Sequence, residues 1–451
     1  MRLEELREAG LEAGAAVVLA ERSSRTNFRF ANNTVTTNGR EDSTSAGVVA
    51  LEGEQVGVQS ADVGSAEQVV ALARAAGERA RRSPAAPDAM PMLPPEEAAR
   101  AEADGAQAPE AGPEELDPVL GPVQELLERS RSAGLRCFGY AQATASQQLL
   151  GTAAGVRLEG RRQAASLSLT LKTPDFKRSV WSGSAARRLG EIDPLAMFER
   201  AQQRLDWTER SVSLPAGHYQ VLLEPSATAD FIVRLAWEMH ARGADEGRTV
   251  FAGPSGPRVG ERMYASEVTL ESDPADPRMT VPGFVRSLGS SEYSSVFDNG
   301  LAVPATVWVE RGVQQDLICP RRWAKDHGHP VRPDADNLRM RGTTTTLEQM
   351  IASSERALLL TSLWYIRDVD PASLLLTGLT RDGVFLIEQG QVVGAVNNFR
   401  FNESPVGVLE RTVELGAPEL ALSREVGDDI FLEAPPIRVE NFFMSSVSDA
   451  V

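Results

Sequence analysis

The chain has 451 residues, with 46 Lys and Arg against 63 Asp and Glu, giving a formal net charge of −17. That length exceeds one ordinary core and predicts two or three domains, and 42% hydrophobic with 24% charged residues suits soluble globular structure. The acidic balance argues against nucleic acid, whose phosphates select basic faces; basic stretches such as Arg161–Arg162 and Arg321–Arg322 are short.

In chain order, a short helix leads into a strand at Ala15–Ala20. Thr26–Phe30, Asn33–Thr37, Ser45–Leu51 and Gln55–Gln59 then read as short strands of a β-meander, with Glu52-Gly53-Glu54 as a turn. Ser65 and Gln68 have the spacing of a capping box, and Val69, Val70, Leu72, Ala73 and Ala76 form the apolar stripe of a helix running to about Arg82. Between Ser83 and Pro122 nine prolines fall among Ala, Glu and Asp. The periodic apolar pattern stops there, so the segment reads as an exposed linker, partly disordered over Pro94–Pro113.

A second α+β segment follows. Val119–Ser132 is helical; Cys137–Ala145, Gln148–Ala153 and Ala165–Lys172 alternate as strands do; and Asp193-Pro194 gives an N-cap followed by Pro at the first helical position. From Pro215 the chain turns β-rich after a strand at Tyr219–Leu223 and a helix at Ala227–Arg242. Strands are expected at Val268–Leu270, Ala305–Glu310, Val313–Ile318, Ala357–Trp364, Ser373–Gly378, Gly383–Glu388 and Gln391–Asn397, with a hairpin turn at Glu388-Gln389-Gly390. The fold class is therefore α+β: an N-terminal α+β domain (1–82), a linker (83–118), a central α+β domain (119–213) and a large β-rich, barrel-like C-terminal domain (214–451).

Chemistry is harder to place. A zinc hydrolase takes two His from one helix with a Glu beside the first as general base. On the segment Phe231–His240, Glu238 and His240 are two residues apart, about 200° around a helix, and the positions four and five before His240 are Ala236 and Leu235. His240 reads either as a polar residue favoured as a cation near a helix C-terminus or as the remnant of a site. His327-Gly328-His329 sits in a loop without a Cys or His to complete a metal set, and His218 stands alone. Gly253-Pro254-Ser255-Gly256 lacks the spacing of a nucleophile elbow. Cys137 and Cys319 lie far apart, which suits a reducing compartment, and Cys319 is expected to be buried. The N-terminus has acids in its first six residues and does not read as a signal peptide. No window approaches a membrane span, so a cytoplasmic location is expected.

The ordered set of short signatures resembles the TldD/PmbA family of peptidase subunits. Arg29-Phe30-Ala31-Asn32-Asn33, Gly47-Val48-Val49 through Gly57-Val58, Phe297-Asp298-Asn299-Gly300, Glu310-Arg311-Gly312-Val313, Asn337-Leu338-Arg339-Met340 with Gly342, and Thr377-Gly378 followed by Gly383 and Gly390 carry the likeness. The resemblance implies C-terminal β-rich domains that pair around a chamber admitting unfolded or extended peptides. The family's TldD kind carries His-Glu-x-x-x-His on the helix and a later Cys, together holding zinc. Here Leu235 and Ala236 stand at the first His and the Glu, His240 matches the second His, Asp245 matches an acidic position five residues on, and the strands around Gly378–Gly390 hold no Cys. The resemblance is thus to the TldE/PmbA kind, the partner without the metal. It implies no catalytic or metal-binding residue in this chain, with His240, Glu238 and Asp245 as vestigial candidates. It implies no cofactor here and zinc in a TldD-like partner subunit. The alternative is a divergent relative with its own amide-bond chemistry in peptide or natural-product processing; a pure binding or scaffold role is the remaining class. Brief proteolysis is expected to cut within Ser83–Pro122 before it cuts within 220–440, because exposed linkers are nicked first; fragment masses decide this, and a first cut within 220–440 would overturn the boundary.

Overall fold

The computed structural model describes residues 2–100, 112–427 and 429–448. Its first layer is a six-stranded antiparallel sheet in the order β3-β2-β1-β4-β5-β6. The strands are β1 (Val17–Ala31), β2 (Thr34–Glu52), β3 (Gln55–Asp62), β4 (Arg136–Thr152), β5 (Arg157–Lys172) and β6 (Ser179–Ala186). The two segments expected to form separate domains, 1–82 and 119–213, share this one sheet, because β1 pairs with β4 without interruption from Val17↔Thr152 to Phe30↔Gly139. The strands are also far longer than the short segments the alternation suggested. Polar runs such as Arg22–Arg25 and Asn38–Asp42 break the apolar pattern, yet their backbones stay paired across β1 and β2.

One face of this sheet carries four helices. At one end α1 (Leu3–Glu12) and α2 (Ala66–Ala80) cover Val18, Ala20, Ala46 and Val48. At the other α3 (Asp117–Ser132) and α4 (Pro194–Trp207) cover Phe28, Phe30, Leu167 and Leu169. Gly57 is required where α2 crosses β3, since a Cβ there would lie 2.0 Å from the Ala76 carbonyl oxygen. The opposite face, with Val17, Val49, Leu150 and Leu158, packs on Phe284, Val296 and Phe297 from the C-terminal half. Asp193 caps α4 as expected, accepting from the Leu195 and Ala196 amides at 3.0 Å. The expected Ser65/Gln68 capping box does not form: Gln68 instead accepts from the Gly64 amide at 2.5 Å.

Residues 84–100, expected as exposed linker, are docked. Leu93 is buried, Ala85 bridges to Gln55 and Ala98 to Leu301, and Arg322 and Arg321 donate to the carbonyls of Ala89 (2.8 Å) and Pro91 (3.0 Å). Proline removes a donor but leaves its carbonyl free to accept, so a Pro-rich strap can be held by arginines without secondary structure of its own. Of the rest of the expected linker, residues 101–111 lie outside the described residues, while Pro113–Glu115 form a single 3-10 turn and α3 already begins at Asp117.

The C-terminal half is two open sheets around one helix. The larger is ten-stranded, running from the edge strand Leu363–Asp370 through Ile437–Val447, Gly217–Leu223 and Arg356–Leu360 to Ser211–Val212. The smaller has six strands, with Leu270–Ser272, Asn337–Met340 and Phe431–Ala434 at its centre. Neither closes into a barrel, which corrects the barrel-like expectation. The expected strand Val313–Ile318 pairs only over Val313–Gln314. Helix α5 (Pro225–Glu238) lies between the sheets, buried almost all round its first three turns, with the buried Asp230 carboxyl accepting from the Ser423 hydroxyl at 2.6 Å. Phe231 packs on Phe401 and Phe442 with ring centres 5.8 and 6.1 Å away.

The turn that opens the first sheet also ties it to α3. Asn32 and Asn33 have φ of 50° and 64°, the left-handed pair a two-residue hairpin needs. The buried Asn33 amide donates to the Leu135 carbonyl (2.7 Å), while its oxygen accepts from the Cys137 amide (2.6 Å) and the Ser130 hydroxyl (3.1 Å). Asn33→Ala should destabilise the chain by about 2–4 kcal/mol, by orphaning buried partners and placing Ala at positive φ. Denaturant melts check this, and a loss under about 1 kcal/mol would count against the tie.

Candidate functional site

The functional question centres on the end of α5. The chain was expected to continue as one helix through His240 to Arg242; it stops at Glu238 instead, and α6 (Ala241–Asp245) starts afresh. No Pro or Gly marks the break. Its cause is tertiary: the Ile318 amide donates to the Met239 carbonyl and the Ala241 amide to the Ile318 carbonyl, both at 2.9 Å. These bonds replace helical ones, and His240 takes extended dihedrals as the N-cap of α6, its Nδ1 accepting from the Gly243 amide at 3.1 Å. So His240 caps a helix start rather than complementing a helix C-terminus, and burial pushes its pKa down, toward the neutral ring that can accept.

The three vestigial candidates do not converge. Glu238 ends α5, and burial raises its carboxyl, helped by the nearby Asp368. His240 packs edge-on against Tyr293, ring centres 4.9 Å apart. Asp245 points to α7 (Arg321–His327), accepting from Trp323 Nε1 at 2.7 Å and bonding His329 Nε2 at 2.8 Å. Of the His327/His329 pair only His329 is thus brought to Asp245, while the His327 ring stacks on Trp323 with centres 3.8 Å apart. Cys319 is buried, its thiol pushed up to about 12 by burial and then by Asp245 and other acids. His218 stacks on Phe443 at 4.7 Å.

These residues do not fit a tetrahedral zinc. Leu235 is fully buried in the apolar core, Ala236 offers no donor, and His240 spends Nδ1 on the α6 cap. Among the described residues no group of three or more His, Cys, Asp and Glu side chains could hold a metal ion.

Beside the break lies a recess, missed by the sequence reading because its walls come from segments scattered between residues 236 and 430. Its floor is Met239, Trp308 and Leu338, all buried; Ala236 lines its side; Trp237, Tyr293 and Asp334 form its rim. The enclosed volume is about 50 Å³. Tyr293 is held across the mouth by donating its hydroxyl to the Trp237 carbonyl, and Arg234 lies over the Trp237 ring, 5.0 Å from its centre. Asp334 is exposed at the rim, and its carboxyl is raised, by partial desolvation and then by the neighbouring Asp336. Burial and the charges of Glu238, Glu292 and Asp334 push the Tyr293 phenol up to about 12.

Comparison with known proteins agrees with this architecture. The profile of the PmbA/TldA metallopeptidase C-terminal domain matches residues 216–446, and that of PmbA/TldA metallopeptidase domain 1 matches residues 16–80. No curated protein matches the chain. The solved structure of TldE from Thermococcus kodakarensis is similar at 18% identity and a TM-score of 0.81, over 98% of this chain and 99% of that one. Two candidate modulators of DNA gyrase are also similar, each at 14% identity. The one from Bacteroides thetaiotaomicron has a TM-score of 0.78 over 99% of this chain and 98% of its own; the one from Thermotoga maritima has 0.75 over 98% of both.

Purified chain is expected to carry far less than one zinc per molecule, since a structural or catalytic site needs three or four protein ligands. Elemental analysis checks this; about one zinc per chain, lost on His240→Ala, would overturn it.

Proposed function

This chain belongs to the PmbA/TldD metallopeptidase family, and we propose that it is the cytoplasmic, metal-free subunit of a heteromeric peptidase, holding unfolded or extended peptides for a zinc-bearing TldD-like partner. The observation that carries this reading is the treatment of α5. The positions where the family's ligand and base are expected are a core leucine and an alanine, whereas the surface beside them keeps an open recess. The likeness in fold to a TldE over nearly the whole chain supports the same assignment.

Two features suit peptide holding. The ten-stranded sheet ends in the edge strand Leu363–Asp370. Edge strands can accept an extended peptide through main-chain hydrogen bonds, and this one is blunted at its start, where Glu425 accepts from the Tyr365 amide at 2.6 Å and the Ile366 amide at 3.3 Å. The stretch Arg367–Asp370 beyond that cap is exposed. Asp368 in this stretch lies near Glu238 at the end of α5, so the edge and the recess share one region. Among the described residues no helix is long and apolar enough to cross a membrane.

A second reading, a divergent enzyme with its own amide-bond chemistry, is favoured by one observation: the Asp334 carboxyl, raised from its ordinary value, stands at the rim of the recess, where an acid or base could act on a bound peptide. The two readings separate in one experiment, in which this chain, a zinc-bearing relative and the mixture are each assayed on an unstructured peptide. Cleavage is expected from the mixture, lost on chelation, with stable co-purification across an interface of roughly 2,000 Å² or more. Robust cleavage by this chain alone, or failure of the two to co-purify, would sink the subunit reading.

A further inference from the structure

We propose that the recess at the α5–α6 break seats the first residue of a peptide, its small apolar side chain entering at the mouth rimmed by Trp237, Tyr293 and Asp334 and its α-ammonium pairing with the Asp334 carboxylate. The inference rests on the peptide-holding reading and names which part of the peptide this chain grips.

The floor selects an apolar group. Its polar atoms are already satisfied: Ser272 Oγ donates to the Asn337 carbonyl (2.6 Å) and accepts from Trp308 Nε1 (2.9 Å), and Asn337 Nδ2 donates to the carbonyls of Asp273 (2.6 Å) and Met279 (2.9 Å). A polar side chain pushed into the recess would give up water and find no partner. The size selects a small one. A volume of about 50 Å³ holds roughly three or four water-sized groups at 10–15 Å³ each, the scale of a valine branch.

The rim selects a positive charge at the mouth. One Asp334 oxygen accepts from the Ala335 amide at 2.8 Å, and among the described residues no Lys, Arg or His forms an ion pair with Asp334; the neighbouring Asp336 is already taken by Arg286. Glu238 adds negative charge near the same rim, since both carboxyls act on the Tyr293 phenol. An arriving ammonium would favour the ionised form of Asp334, whose charge is otherwise opposed by desolvation and Asp336. A lysine or arginine side chain fits less well, because its charged end would reach the apolar floor while the carboxylate stays at the rim. An α-ammonium sits one bond from its own side-chain branch point, so charge at the mouth and carbon below is the arrangement a peptide N-terminus provides.

Every wall of the recess comes from this chain, so the purified chain is the test object. The probe is a short unstructured peptide of Gly, Ser and Thr beginning with valine, labelled at its C-terminus and followed by fluorescence anisotropy, alongside its N-acetylated form. The free amine is expected to bind about tenfold or more tightly than the acetylated form, a difference of the size one well-placed charge gives. Asp334→Asn should bring the two affinities together. Ala236→Leu, a substitution helices accept readily, should fill the recess and abolish any preference for a first valine over a first glycine. Equal binding of free and acetylated peptides by the unmodified chain overturns this seat and leaves the holding role standing. Failure of both peptides to bind overturns the holding role and the seat with it.

Discussion

The pairing of β1 with β4 is the constraint on which the rest of the molecule depends. It joins segments separated by more than a hundred residues, and it runs the length of both strands. Loop-closure cost grows only slowly with loop length, so a long polar insertion between the partners is tolerated. The consequence is a sheet broad enough to carry four helices on one face and the Phe284–Phe297 segment on the other. A three-stranded sheet with two helices could not bury that area. Beyond that face, the joined sheet and its helices also meet the C-terminal half where the Trp181 amide donates to the Asp382 carbonyl at 3.2 Å and where Trp207 of α4 packs edge-on against Phe385 at 5.2 Å. The orientation of the ten-stranded sheet, and hence of α5 upon it, follows from those contacts and from the docked strap at residues 84–100.

Much of this was legible in the sequence where the signal is local. The Asp193-Pro194 start of α4, the hairpin at Gln389-Gly390 with φ of 51° and 76°, and the apolar face of α2 all rest on residues within a few positions of one another. What was not legible is long-range. The α5 break depends on Ile318, nearly eighty residues away, supplying both hydrogen bonds that a continued helix would have made for itself. The Gln68 side chain serves Gly64 rather than Ser65 because the geometry of the approaching chain, not the spacing, chooses its donor. Residues 84–100 looked solvated on composition, and composition cannot reveal that Arg321 and Arg322 stand ready to bind proline-flanked carbonyls. The short signatures shared with the family were informative for a related reason: several mark backbone positions, such as Asn33 and Gly57, where tertiary geometry leaves little choice of residue.

The candidate site shows the same division. His240 and Asp245 were singled out because they match positions of the family's pattern, with Glu238 beside them on the expected helix, and that helix stops at Glu238. Each instead serves its own neighbour. Asp334 and Tyr293 had no motif to mark them, because a solitary aspartate or tyrosine in a loop carries no periodic signal. Their importance is visible only once Met239, Trp308 and Leu338 are seen beneath them.

Leu235 and His240 are both held by the structure around them. Full burial of Leu235 contributes on the order of 1.5–3 kcal/mol, and an imidazole there would need a hydrogen-bond partner inside an apolar cluster. His240 is equally committed: a Cβ on Gly243 would lie 2.5 Å from His240 Cε1, so the residue at 243 and the ring are fitted to each other. Running α5 on past Glu238 would break both bonds to Ile318. The end of α5 is therefore fixed by the bridge to Ile318, and the recess beside it is defined by shape and charge, with Met239, Trp308 and Leu338 below and Asp334 at the rim.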